Sequence, residues 1–396
     1  MRMLYVVEST PTVDARGGDG STLIPYRVAL ALPPTVDVEI VAFAGPSRPD
    51  AALGTRAESI HELPERGKRD AQLLALVGRE SFGTALRMTS RSRRLVRDRS
   101  RSADVTLVHG PHLLPMLDAV VGPCAYQTVD PWSFRLEEEA RAATWARRLY
   151  RRQLASARAA RERAIPARVE LATVGRGDAD RWARLLGREV TAVANGVTVD
   201  APTGAVTRAR PAHPTICFTG SLDYAPNIDA ATRLVRDVGP ALWAQVPDAR
   251  IVIAGRHPVA AVLALRSERV QVLADVPAMA AVYAASDLAV FPDLTGLGVR
   301  NSVTEALAAG TPVVASTVAA REQPAHELLT VAAGGDHADR VGRAGSFDEL
   351  GELTALAIRE LRRARTTERT APPTAGLRTW ADAAGDYLAL LERASR

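Results

Sequence analysis

The feature that most constrains the fold is an alternation kept from one end of the chain to the other. Short β-branched runs recur as MLYVVES, VDVEIVAFA, DVTLVHG, CAYQTVD, VELATVG and VTAVANG in the first half, and as TICFTG, ARIVIAG, VQVLA, DLAVFP, PVVAS and LLTVA in the second. Amphipathic stretches such as TLIPYRVALAL, and a long helical stretch near residues 135–163, separate them. Strands that are divided by helices cannot pair as hairpins, so they call for parallel sheets with helices on their faces. A chain of 396 residues exceeds one ordinary core, which points to two domains of roughly 200 residues each. The segment VDAPTGAVTRARPAHP has no periodicity and reads as a linker. The expected organisation is an N-terminal domain over 1–198, a linker over 199–213, a C-terminal domain over 214–374, and a last helix over 375–396 that packs back toward the N-terminal domain. In that helix Trp380, Tyr387, Leu388 and Leu391 fall at helical spacing, as core residues do. The fold class is α/β, with two doubly wound Rossmann-like domains facing across a cleft. Open sheets of this kind bind ligands beyond the carboxyl ends of their strands.

The composition, 47% hydrophobic and 24% charged, is that of a globular protein. No apolar run reaches the roughly 20 residues needed to cross a bilayer, and MRMLYVVEST leads directly into a strand. The expected location is cytoplasmic. The net charge of +5 is gathered in residues 1–200, chiefly in the segments 87–101 and 141–168. It is almost entirely arginine, with Lys68 the single lysine. Two readings stand. Either a coding bias puts arginine on solvated helix faces, or the segments form a surface for an anionic acceptor, a partner, or peripheral contact with an acidic membrane. Nucleic acid is not expected, because the basic segments lack interleaved aromatics to stack bases. Cys124 and Cys217 each sit inside a strand-like run, as small buried hydrophobes do. No DxD motif or histidine cluster suggests a metal.

Candidate ligand groups follow the strands. After the first strand, the loop containing Gly17 and Gly18 lets the backbone approach a ligand ahead of a helix. After TICFTG, Gly220 and Ser221 lie at a strand end, and Asn227 enters the next helix behind Pro226. ARIVIAG is followed by Arg256 and His257. The stretch LTGLGVRNSVTEALAAGTPVVAS opens on glycines, becomes a small-residue helix around Glu305, and ends in a buried strand. A helix starting near Val299 offers bare amides and about half a positive charge to an anion, and Arg300 adds a full one. Glu305 lies about 9 Å further along the axis, where a carboxylate can accept from two ribose hydroxyls.

These residues carry a resemblance. FTGSLDYAPNIDA, IVIAGRHP, VQVLADV, YAASDLAVFPDLTGLGVRNSVTEALAAGTPVVAS and VTAVANGV, over residues 190–325, resemble the donor domain of the retaining, nucleotide-sugar-dependent glycosyltransferases of family 4, which have the GT-B fold. The first 190 residues resemble that family more loosely. The resemblance implies that Glu305 binds the donor ribose, and that Gly298, Val299, Arg300 and Asn301 meet the diphosphate, with Asn227 and Arg256 beside it. It implies that Gly220 and Ser221 lie under the diphosphate, and that Gly17 and Gly18 close over it. It further implies catalytic roles near the sugar and acceptor for Asp130, in TVDPWSFR, and His109, in VHGPH. A nucleotide sugar is then a co-substrate, with no cofactor and no metal, and the acceptor is a natural product, a glycolipid or a polysaccharide. The chain departs from the family in three places. SLDYAPN lacks the phosphate-gripping Arg and Lys of many relatives, and Ser302 stands where the DYxPN subset carries Lys. Only Asp293 stands near the usual upstream acid. A nucleotide-sugar epimerase, or a catalytically silent subunit that binds a nucleotide or partner, therefore remains as an alternative.

Overall fold

A computed structural model describes residues 1–13, 20–44, 48–78, 80–141, 144–198, 211–276, 278–296, 298–332, 347–367 and 376–396. Gly17 and Gly18 lie outside these residues. The chain divides into two compact units, residues 1–195 with 380–396, and residues 196–379.

The first unit is built on seven parallel strands: β1 (Arg2–Val7), β2 (Asp37–Phe43), β3 (Ala57–Leu63), β4 (Val105–His109), β5 (Cys124–Thr128), β6 (Val169–Thr173) and β7 (Thr191–Ala192). Their order is β3-β2-β1-β4-β5-β6-β7, so the chain winds outward first to one side of β1 and then to the other. Alternation along β1 explains the layering. Met3, Tyr5 and Val7 belong to a core on one face and Leu4 and Val6 to a core on the other, and all five are buried. The helix Trp380–Ala394 completes the first face with Ala384, Tyr387, Leu390 and Leu391. Trp380 and Leu388 pack against its margin.

The second unit has six parallel strands: β8 (Thr215–Thr219), β9 (Arg250–Gly255), β10 (Val270–Ala274), β11 (Leu288–Phe291), β12 (Val313–Ser316) and β13 (Leu329–Ala332), in the order β10-β9-β8-β11-β12-β13. Every residue of β8, β11 and β12 is buried, as expected of central strands covered on both faces. The order reverses between β8 and β11, which is where such sheets open a crevice at their carboxyl ends.

Three local features differ from expectation. β3 follows a sequence, AESIHEL, that is half-exposed and lacks a continuous apolar run. The long helical stretch is two helices, Trp132–Arg141 and Trp145–Arg163. The helix expected near Val299 starts at Asn301, because Gly296 (φ 135°) and Gly298 (φ 79°) hold the preceding loop in conformations open to glycine.

Candidate functional site

In the second unit, the predicted donor residues gather where β8, β9 and β11 end. Gly220 follows β8, and its carbonyl oxygen packs so tightly against Gly255 that a Cβ on Gly255 would lie 1.8 Å from it. Leu222 N–H donates to the Arg256 carbonyl at 2.8 Å, tying the two loops together. Asn227 enters with the helix Ala225–Arg233, which has Pro226 in its first turn. The Asn227 side chain is buried, and its Nδ2 donates to the Ser221 carbonyl at 2.9 Å. Asn227 thus braces the loop that carries Gly220 and Ser221.

Arg300 is the hub of this edge. Its Nη1 donates to Asn227 Oδ1 at 3.1 Å and to Asp293 Oδ1, and its Nη2 donates to the Thr219 carbonyl at 3.0 Å. Its guanidinium lies 5.0 Å from the Phe218 ring centroid and 4.7 Å from that of Phe291, cation–π contacts with rings from strands β8 and β11. Burial raises the Asp293 carboxyl above its ordinary value, and the Arg300 charge offsets only part of that rise. Much of the charge expected to face an anion is therefore engaged with Asp293.

Arg300, the residue ahead of the helix Asn301–Ala308, makes no side-chain cap to its first turn, and Val303 N–H donates to the Arg300 carbonyl at 3.2 Å. Glu305 sits about 6 Å further along the axis, half-buried. Tyr283 orients this region. Its phenol donates to the Ser302 carbonyl at 3.1 Å with Glu305 Oε2 at 3.5 Å, and Thr219 Oγ1 lies 2.6 Å from the same oxygen. Burial, and then the Glu305 charge, raise the Tyr283 hydroxyl well above its ordinary value, so it remains a donor. Gly298 and Val299 are half-exposed ahead of the helix, and Asn301 opens it. Ser302 offers no cation. The half-exposed Arg256 guanidinium has no hydrogen-bond or ion-pair partner among the described residues. The neighbouring His257 is exposed and adopts φ 51°.

In the first unit, His109 and Asp130 mark the ends of the adjacent strands β4 and β5. His109 is buried, with Nδ1 2.9 Å from the Tyr5 hydroxyl. Desolvation pulls its pKa down to about 3, so the ring is neutral near pH 7. Asp130 is buried, with Oδ2 lacking a partner among the described residues. Desolvation, followed by the charge of Asp178, pushes its pKa up to about 7. Two groups not singled out from sequence join this edge. The buried Glu8 carboxylate accepts from His112 N–H at 2.6 Å, and His112 Nδ1 lies 2.9 Å from Ser81 Oγ. Desolvation, with the charges of Arg87, Arg158 and Arg135, holds His112 near 3. Among the described residues, no group of three or more His, Cys, Asp or Glu side chains is arranged to hold a metal ion.

Residues 213–343 match the family model Glycosyl transferases group 1. No curated protein matches the chain. Among solved structures, an α,α-trehalose-phosphate synthase (UDP-forming) from Burkholderia xenovorans, in complex with glucose-6-phosphate, aligns with a TM-score of 0.61 at 13% identity, covering 99% of each chain. WaaG, a glycosyltransferase involved in lipopolysaccharide biosynthesis, aligns with a TM-score of 0.59 at 13% identity, covering 100% of this chain and 98% of its own. HepE of Anabaena, in complex with UDP and glucose, aligns at 0.57 and 13%, covering 99% of each. The protein therefore has the GT-B fold class of two parallel-sheet Rossmann-like domains, and residues 213–343, within its second unit and running past its last strand, are similar to the glycosyl transferases group 1 model.

Proposed function

We propose that the chain is a glycosyltransferase that takes a sugar from a nucleotide diphosphate donor, with retention, in the manner of family 4. The observation that carries this reading is Glu305: a half-buried carboxylate beside Tyr283, on a helix that Arg300 does not cap with its side chain and that follows two positive-φ glycines. In this reading Glu305 accepts from the donor ribose, and the main chain of Gly298, Val299 and Asn301 meets the diphosphate above Gly220 and Ser221. Negative charge that builds on the departing phosphate is stabilised by the helix dipole and by Arg256, which take the place of the missing lysine at Ser302. Such a site needs no metal and no cofactor. His109, neutral, and Asp130, able to hold a proton near pH 7, are the acid–base candidates on the acceptor side. HepE binds UDP-glucose, and the trehalose-phosphate synthase binds glucose-6-phosphate, which supports this pairing of donor and sugar acceptor. The acceptor here is a natural product, a glycolipid or a polysaccharide.

A second reading, a catalytically silent nucleotide-binding subunit, is favoured by one observation: Arg300 is engaged with Asp293 and Ser302 brings no charge. NMR of the chain incubated with a panel of nucleotide sugars separates the readings. A transferase releases nucleoside diphosphate slowly from one donor in the absence of acceptor. An epimerase returns an altered sugar, and a silent subunit leaves every donor intact; either result overturns the proposal.

A further inference from the structure

The helix Trp145–Arg163 begins with two turns that are open on nearly every side. Trp145 is 80% exposed, Leu149 56% and Tyr150 41%. Trp145 and Leu149 stand one turn apart and share a face, and Arg148 and Arg152, also one turn apart, border it. From Arg141 to Arg161 the sequence contains no acidic residue. Arg148 Nε donates to the Ala140 carbonyl at 3.3 Å, and Arg151 pairs with Glu139 at 3.2 Å, which fixes the start of the helix to the preceding one. Arg141, Arg147 and Arg152 are exposed, and none of their guanidiniums has a hydrogen-bond or ion-pair partner among the described residues. The other arginine-rich helix, Ser90–Ser100, exposes no large apolar side chain. The structure thus separates two segments that are alike in charge.

An exposed indole and leucine beside unpaired guanidiniums, with Glu139 the neighbouring carboxylate and that one already paired with Arg151, match the boundary of an anionic bilayer. Tryptophan is favoured at the headgroup level, and arginine stems can lie along apolar surface while their heads reach lipid phosphates. We propose that residues 145–153 form an interfacial anchor that docks the protein on an anionic phospholipid surface. No helix among the described residues is long and apolar enough to cross a membrane, so the contact is peripheral. This anchor does not depend on the identity of the donor.

The test is cosedimentation of the full chain with vesicles of phosphatidylcholine alone and of phosphatidylcholine mixed with phosphatidylglycerol. The protein is expected to bind only the mixed vesicles and to be released by salt. The pair Trp145→Ser/Leu149→Ser is expected to lower the partition coefficient at least about tenfold, and Arg147→Glu/Arg152→Glu at least about tenfold as well. Because these side chains are exposed, both variants should keep the native circular dichroism and melting midpoint. Absence of vesicle binding, equal binding to both vesicles, or binding untouched by either pair overturns the proposal. So does a concentration-dependent mass, without vesicles, that Trp145→Ser/Leu149→Ser abolishes, because the face then belongs to a second copy of the chain.

Discussion

Asp130 is buried with one oxygen unpaired among the described residues, and its pKa of about 7 against an ordinary 3.8 makes it a reporter of stability. Between those values the unfolded chain has released a proton that the folded chain keeps, so stability falls as pH rises through this window and levels off above pH 7. Asp130→Asn removes the dependence. Thermal melts should show the variant stabilised by a few kcal/mol at pH 8 and little changed near pH 4; equal shifts at both would contradict the burial argument. His109 and His112 act in the opposite direction. Their pKa values of about 3, depressed by burial, contribute stability that is present above about pH 6.5 and is lost as pH falls toward 3. His109→Gln should therefore flatten the acid limb of the stability curve. His109 and Asp130 were legible because each follows a β-branched run. Glu8, His112 and Tyr283 were not. Glu8 directly follows the apolar run of β1, and that abrupt carboxylate was the available signal. The role of Tyr283 arises only when its helix is laid beside Glu305.

Among elements, the cross-brace at Arg300 ties strands β8 and β11 to the helix Asn301–Ala308. Arg300→Met leaves the buried Asp293 carboxylate unpaired, and denaturant unfolding should show a loss of about 3–5 kcal/mol. Asp293→Asn added to it should restore part of that loss, since the uncompensated charge is then gone; a double variant no better than Arg300→Met would contradict the pairing. Gly255→Ala forces a methyl onto the Gly220 carbonyl, and should cost about 1–3 kcal/mol and move the loop that carries Ser221. Central strands were legible because parallel strands covered on both faces must be apolar throughout, as TICFT and LAVF are. The edge strand β3 was not, because AESIHEL is buried on neither face throughout. The start of the Glu305 helix was displaced from Val299 to Asn301 because a sequence marks Gly296 and Gly298 as permissive without saying which φ they adopt.

At the scale of the whole molecule, the first unit is discontinuous in sequence: the helix Trp380–Ala394 belongs to its core. Leu391 is fully buried there, so Leu391→Ala should destabilise this unit by about 2–5 kcal/mol. If the two units melt separately, only the transition of the unit that contains Trp182 should move; a shift confined to the other transition would contradict the assignment. The second unit could be read from motifs in a fixed order, whereas the first was legible through its alternation and only loosely through motifs. Glu305 as the ribose ligand is the centre of the account, and titration calorimetry with uridine, guanosine, adenosine, cytidine and thymidine diphosphates tests it most directly. The account predicts that the native chain binds at least one of them and that Glu305→Ala weakens that binding at least about tenfold, the loss of roughly one charge-assisted hydrogen bond. Undiminished affinity of Glu305→Ala for every diphosphate would contradict it.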